Sequence, residues 1–207
     1  MKIGVLAVQG DFAAHKRMLT RLDARSVEVR RVRDLDLVDG LVMPGGESTT
    51  MLKFLQEEGL TDPIIEFADA GNPVFGTCAG AILLARAVAG PAQPSLALLD
   101  ITIERNAYGR QIDSFVGEAE TGIEGGPLEA VFIRAPRIRS VGPNVDVIAR
   151  TNGEPVLVRQ GNVMAATFHP ELGSDQRVHR YFLSLLRPSS YHPFTEINDE
   201  SVQMGRH

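Results

Sequence analysis

The single cysteine of the 207-residue chain, Cys78, lies in Gly76-Thr77-Cys78-Ala79-Gly80. The apolar pair Val74-Phe75 precedes it and the apolar run Ala81-Ile82-Leu83-Leu84 follows. A nucleophile flanked by glycines between a strand and a helix is the pattern of a nucleophile elbow. Such a turn is tight, so its flanking positions need residues with little or no side chain. It lifts the nucleophile to the carboxyl end of the sheet, where open α/β sheets bind ligands. It also sets the sulfur at a helix N-terminus, whose partial positive charge favours thiolate. The opposing reading is a small buried hydrophobe, since free cysteine is often core; the surrounding elbow favours the nucleophile.

A thiol nucleophile needs a base, and the chain has five histidines. His169 stands out because Phe168-His169-Pro170-Glu171 follows the apolar run VMAATF. Pro170 stiffens the turn, and Glu171 can orient and charge-stabilise the imidazole as a third triad member. His-Pro-acid alone would be a surface turn, but elbow and late His-Pro-Glu together point to Cys78, His169 and Glu171 as a catalytic set. His15 and His179 fall on predicted helices and read as surface or satisfied core residues. His192 and His207 fall in a C-terminal tail and read as solvated.

The third piece is Pro44-Gly45-Gly46-Glu47-Ser48, after the apolar run LVM. A glycine pair at a strand end can turn backbone N–H groups toward a ligand. With the N–H of Ala79, Gly46 would form an oxyanion hole, each donor contributing about 2.7–4 kcal/mol in the transition state. The alternative is a plain turn capping the next helix through Ser48 or Thr49. GGEST lacks the lysine of a phosphate-binding P-loop. Taken together, the chemistry is acyl transfer through a thioester.

These residues need a sheet to position them. The near-continuous apolar segment 2–9 predicts a buried parallel strand. Asp11 is a plausible N-cap for a helix bearing Phe12, Leu19 and Leu22. Strands are predicted at 27–32, 40–43 and 73–76. Helices are predicted after residue 47, carrying Met51, Leu52 and Leu55, at 62–70, and from 79 to about 87. Residues 90–95 form a loop. Residues 98–168 hold many short apolar runs separated by Gly and Pro and predict a strand-rich half. A last helix at 174–186 presents Val178, Tyr181, Phe182, Leu185 and Leu186 on one face, and Pro188 stops it. The alternation predicts an α/β fold: a flavodoxin-like three-layer sandwich, with a mostly parallel central sheet, helices on both faces and extra short strands in the second half.

Hydrophobic residues at 43% and charged residues at 23% are ordinary for a globular protein. A net charge of −5 argues against a broad nucleic-acid footprint. One cysteine excludes an internal disulfide framework and any multi-cysteine metal site, and the chain reads as cytosolic. No apolar stretch approaches the ~20 residues of a membrane helix. The histidine spacings form no metal-ligand set, and no cofactor is indicated.

Gly-x-Cys-x-Gly, a late His-Pro-Glu and an early Pro-Gly-Gly on an α/β chain of this length resemble the class I glutamine amidotransferases. PGGESTT, FGTCAG, LLDITIERNAYGRQIDSF, FIRAP, VRQGNVMAATFHPEL and HRYFL narrow the resemblance to the glutaminase subunits of pyridoxal 5′-phosphate synthases. It covers roughly residues 1–187 and leaves 188–207 as a tail expected to be flexible. The departures are the Pro-containing segment 90–95 and the tail, neither expected to touch the chemistry. The resemblance implies L-glutamine as substrate, giving glutamate and ammonia. It implies that Gly46, Glu47, Ser48, Arg105, Ile133 and Arg134 line the glutamine site. From the residues alone, Arg105 and Arg134 read equally as strand-edge cations and Ile133 as core. The resemblance further implies a (β/α)8-barrel synthase partner in a hetero-oligomeric complex, low glutaminase activity until the two dock, and a cytoplasmic location. A flipping peptide at Gly45–Gly46 would be a sensible switch. Two rivals remain open at this point: a glutaminase for another biosynthetic pathway, and a redox-sensing or chaperone-like protein with an elbow cysteine.

Overall fold

In chain order the elements are β1 (Lys2–Leu6), α1 (Phe12–Arg21), β2 (Arg25–Val29), α2 (Val32–Leu35), β3 (Gly40–Met43), α3 (Ser48–Glu57), α4 (Thr61–Asp69), β4 (Val74–Thr77) and α5 (Ala79–Leu84). There follow β5 (Ala85–Ala89), β6 (Leu99–Glu104), β7 (Ser114–Thr121), β8 (Leu128–Ile133), β9 (Arg137–Val141), β10 (Asp146–Thr151), β11 (Glu154–Gln160), β12 (Val163–Ala166) and α6 (Arg177–Ser184). The computed structural model describes residues 1–105 and 114–186. Most of ERNAYGRQIDSF, the tail 188–207 and its histidines 192 and 207 lie outside the described residues.

A nine-stranded sheet runs β2-β1-β3-β4-β12-β11-β10-β7-β8. Its first five strands are parallel, and the remaining four continue it antiparallel. A separate three-stranded sheet, β5-β6-β9, lies apart from it. The α/β sandwich read from the sequence is therefore present, with the strand-rich half supplying the antiparallel extension and the small sheet.

The period-2 alternation of the central strands divides the core in two. Leu41, Met43, Val74, Val163 and Ala165 pack on one face with Met51, Leu55, Ile64 and Leu83 of the helices and with Leu99 and Ile101 of the small sheet. Ile3, Val5, Val42, Phe75, Met164 and Ala166 pack on the other with Leu19 of α1 and Val178 and Phe182 of α6. β3, β4 and β12 are buried along their whole length, as strands covered on both faces must be.

Several boundaries differ from the sequence reading. β2 ends at Val29, and Val32 instead opens α2, because the Asp34 carboxylate accepts from the Arg30 and Arg31 amides at 2.9 Å and draws the chain into a turn. α5 ends at Leu84, three residues early. The next five residues form β5, which pairs with β6. The run AILLARAVA has no Gly or Pro to mark that change. α3 is capped by Glu47, not by Ser48 or Thr49: its side chain accepts from the amides of Thr49 and Thr50. Asp11 caps α1 as expected, accepting from Ala14 N.

α5 lies close against β3. A Cβ on Gly80 would stand 2.0 Å from the Met43 carbonyl oxygen, and one on Gly76 would stand 2.6 Å from Gly80 C. Both elbow glycines are thus required by backbone contact. Gly80→Ala should destabilise the fold by about 1–3 kcal/mol, as overpacking does. Urea unfolding of the variant beside wild type measures this.

Candidate active site

Parallel pairing of β4 with β12 brings the two halves of the site together. The register sets Ala165 opposite Gly76 and Ala166 opposite Thr77. One step beyond, the Cys78 amide donates to the Ala166 carbonyl at 2.9 Å. Both strands thus end level, with Cys78 on the bend after one and His169 on the turn after the other. The His169 amide donates to Val131 O at 2.8 Å, which fastens that turn to β8.

Cys78 sits at φ +47°, a left-handed conformation that costs a residue other than glycine about 1–3 kcal/mol. Its sulfur lies beside the His169 ring and acts on the charge of that ring. Nδ1 of His169 lies 2.7 Å from Glu171 Oε1, which leaves Nε2 for the sulfur. Cys78, His169 and Glu171 are all buried, at 8%, 7% and 6% exposure. Gly45 closes over the pair; a Cβ there would stand 2.4 Å from His169 Cε1 and 3.4 Å from Cys78 Cβ. Burial works against the imidazolium of His169, but the Cys78 sulfur and the Glu171 carboxylate outweigh it and raise its pKa to about 10. Burial likewise opposes ionisation of Glu171. His15 and His169 overcome that and hold it well below the usual carboxylate range.

Among the expected substrate-site residues, Glu47 and Arg105 meet at 3.4 Å. The Glu47 carboxylate accepts from Thr50 N at 2.7 Å and Thr50 Oγ1 at 2.9 Å, and also from Thr49. These bonds, that of the Thr49 hydroxyl above all, hold its pKa down at about 2. Its amide donates to Gln9 Oε1 at 3.0 Å, and its carbonyl accepts from Met51 N at 3.0 Å. With its polar groups so engaged, Glu47 shapes the turn and holds Arg105. Ser48 is buried and donates to Gln93 Oε1 at 3.0 Å. That contact corrects the expectation that 90–95 stands clear of the site. Ile133 and the exposed Arg134, at φ +44°, lie just past Val131, whose carbonyl anchors His169. Ala79 opens α5, where a first-turn amide has no intrahelical acceptor. Gly46 lies on the turn before α3.

Two histidines read as surface or satisfied core belong to this region. His15 and His179 are fully buried. His15 Nε2 lies 3.4 Å from Glu171 Oε2 and 3.1 Å from Thr77 Oγ1, and its Nδ1 lies 2.9 Å from His179 Nε2. One signal could have found them. His15 falls in the buried stripe Ala14, His15, Met18 and Leu19 of α1, and His179 falls beside Val178 and Phe182. A titratable residue inside an apolar stripe needs a partner. Among the described residues, no group of three or more His, Cys, Asp or Glu side chains could hold a metal ion. No helix among them is long and apolar enough to cross a membrane.

His179 also makes stability depend on pH. Burial, and then neighbouring His15, push its pKa down to about 3 from 6.5. The unfolded chain takes up a proton below pH 6.5 that the folded chain refuses. The contribution of His179 is therefore full above that pH and falls as the pH drops toward 3, by up to about 1.4 kcal/mol per pH unit. Urea unfolding across pH 6.5 to 4.5 should show that slope, and His179→Gln should flatten it.

Comparison with known proteins agrees with this architecture. The model of the SNO glutamine amidotransferase family matches residues 5–187. The pyridoxal 5′-phosphate synthase subunit PdxT of Koribacter versatilis is 55% identical over 187 residues, covering 90% of this chain and 96% of that protein. The subunit of the same name from Thermus thermophilus is 53% identical over 88% of this chain and 96% of its own length. A crystal structure described as a glutamine amidotransferase superposes with a TM-score of 0.84 at 49% identity, over 89% of this chain and 98% of that one.

Proposed function

This chain belongs to the SNO glutamine amidotransferase family, and from that premise we propose that it hydrolyses L-glutamine to glutamate and ammonia for a synthase that makes pyridoxal 5′-phosphate. The observation that carries this reading is the buried line Cys78–His169–Glu171 under the Gly45–Gly46 turn. It sets a nucleophile, a base and an orienting carboxylate side by side. The identity of over 50% to proteins named as subunits of that synthase supports the pathway, and the glutamine amidotransferase description of the family supports the substrate.

The Cys78 thiolate attacks the side-chain amide carbon of glutamine. The Gly46 and Ala79 amides receive the oxyanion of the tetrahedral intermediate. His169, held by Glu171, gives its proton to the departing nitrogen, and ammonia leaves behind a glutamyl thioester. The same imidazole then takes a proton from water, the hydroxide attacks the thioester carbon, and glutamate leaves as the thiolate returns. Glu47, Ser48, Arg105, Ile133 and Arg134 border the glutamine site. The Arg105 or Arg134 guanidinium suits the α-carboxylate of a free amino acid.

Ammonia released into neutral water becomes ammonium, which is not nucleophilic. Direct transfer to a partner avoids that loss, and the partner we propose is a (β/α)8-barrel synthase subunit in a hetero-oligomeric complex. A free thiol as nucleophile suits the reducing cytoplasm. The intact base and acid beside Cys78 favour this reading over a peroxide sensor, which needs no such relay.

Glutamate release from glutamine, with and without the barrel synthase, tests the proposal. Stimulation by the synthase is expected, and its absence would remove the pathway. Cys78→Ala should lower turnover by about a thousandfold or more; activity surviving there would remove the covalent mechanism. Gly46 has φ +154°, and a Cβ on it would stand 3.2 Å from both Gln9 Oε1 and Gly10 Cα. Gly46→Val should therefore abolish glutamate release while circular dichroism shows an unchanged fold.

A further inference from the structure

We propose that His15 is a positioning residue for the relay carboxylate: it holds the second oxygen of Glu171 and ties that carboxylate to the strand end carrying Cys78. The proposal rests on the glutamine-hydrolysing reading above and adds a member to its machinery.

The argument starts from hydrogen-bond accounting. An ionised carboxylate only accepts. Glu171 Oε1 is engaged by His169 at 2.7 Å. Oε2 is buried and has no hydrogen bond of good geometry. The donor facing it is His15 Nε2 at 3.4 Å, which also lies 3.1 Å from Thr77 Oγ1. A proton on His15 Nε2 serves both oxygens. His15 Nδ1 then accepts from the Nε2–H of His179, 2.9 Å away. That tautomer leaves a bare nitrogen at His179 Nδ1, which is buried without a hydrogen-bond partner. One proton arrangement thus accounts for the whole cluster.

The placement gives the contact a purpose. A carboxylate anchored through one oxygen can swing about its last bond; anchoring the second oxygen fixes where the first points. Thr77 immediately precedes Cys78, so the same imidazole nitrogen touches both the nucleophile's strand and the carboxylate that aims its base. The titratable groups facing His15, among the described residues, are Glu171 on the turn after β12 and His179 on α6, with His169 beyond Glu171. From β4 it meets only the uncharged Thr77 and the edge of the Phe75 ring.

Two polar replacements separate the nitrogens. His15→Gln puts an amide donor near the position of Nε2, and His15→Asn puts one near Nδ1. The first readout is kcat and KM for glutamine in the complex with the synthase. The second is the pH dependence of alkylation of the single cysteine by iodoacetamide on the chain alone, which needs no turnover. Urea unfolding of both variants accompanies them. His15→Asn should lower kcat by about tenfold or more with KM within about twofold, because the base is misaimed while glutamine still binds. Its alkylation midpoint should rise, since a thiolate that loses its aligned imidazolium forms at higher pH. His15→Gln should stay close to wild type in both readouts at a similar stability. Equal kcat and equal midpoints in the two variants would overturn the proposal, whether both match wild type or both fall together with stability. A wild type that releases no glutamate would remove the glutamine reading alone, and the alkylation midpoints would still decide the role of His15.

Discussion

Everything at the site depends on the parallel pairing of β4 with β12. That ladder places Ala166 beside Thr77 and lets the Cys78 amide close on the Ala166 carbonyl. Strands in one sheet have a fixed spacing and a side-chain period of two. A slip of one residue would turn Phe75 and Met164 toward the wrong core and carry the imidazole away from the sulfur. The hydrophobic division of the two faces therefore fixes the placement of Cys78 and His169 as well as the fold. The strain of Cys78 at positive φ is tolerated because packing on both sides overdetermines the bend.

Burying a carboxylate in such a core is costly unless charge and hydrogen bonds offset it. Glu171 is placed where one oxygen meets His169 and the other faces His15, and these two rings more than offset its desolvation. The reciprocal effect holds His169 protonated beside the thiol. Electrostatics thus link the cluster: the Glu171 carboxylate supports the imidazolium that faces the Cys78 sulfur.

On the turn that carries Gly46, Glu47 does the organising. Its carboxylate caps α3 and holds Arg105, while its amide is tied to Gln9 on the bend after β1. Gln93 reaches Ser48 from the loop after β5. The turn bearing Gly46 is therefore framed by residues from three separate segments. A change at Gln9 or Gln93 would reach that turn without touching Cys78.

The elbow, the late His-Pro-Glu turn and the Gly-Gly turn were legible in the sequence because each is a local demand. Gly76 and Gly80 answer backbone contacts within a few residues of the cysteine or directly beneath it, and Pro170 and Glu171 sit next to the His169 ring that Glu171 holds. The buried strands were legible for the same reason, as runs such as GLVM and VMAA. The end of α5 was not, because the strand that follows it exists only by pairing with β6. The bond between Ser48 and Gln93 and the cap by Glu47 required side-chain positions that spacing does not give. His15 and His179 show the boundary most clearly. The sequence placed them on two helices, since helical period is a local property, and left them as surface or satisfied core residues. Only the packing of those two helices against one face of the sheet decided that the two rings meet and that His15 reaches Glu171, because contacts between residues 164 apart follow from tertiary structure and not from pattern.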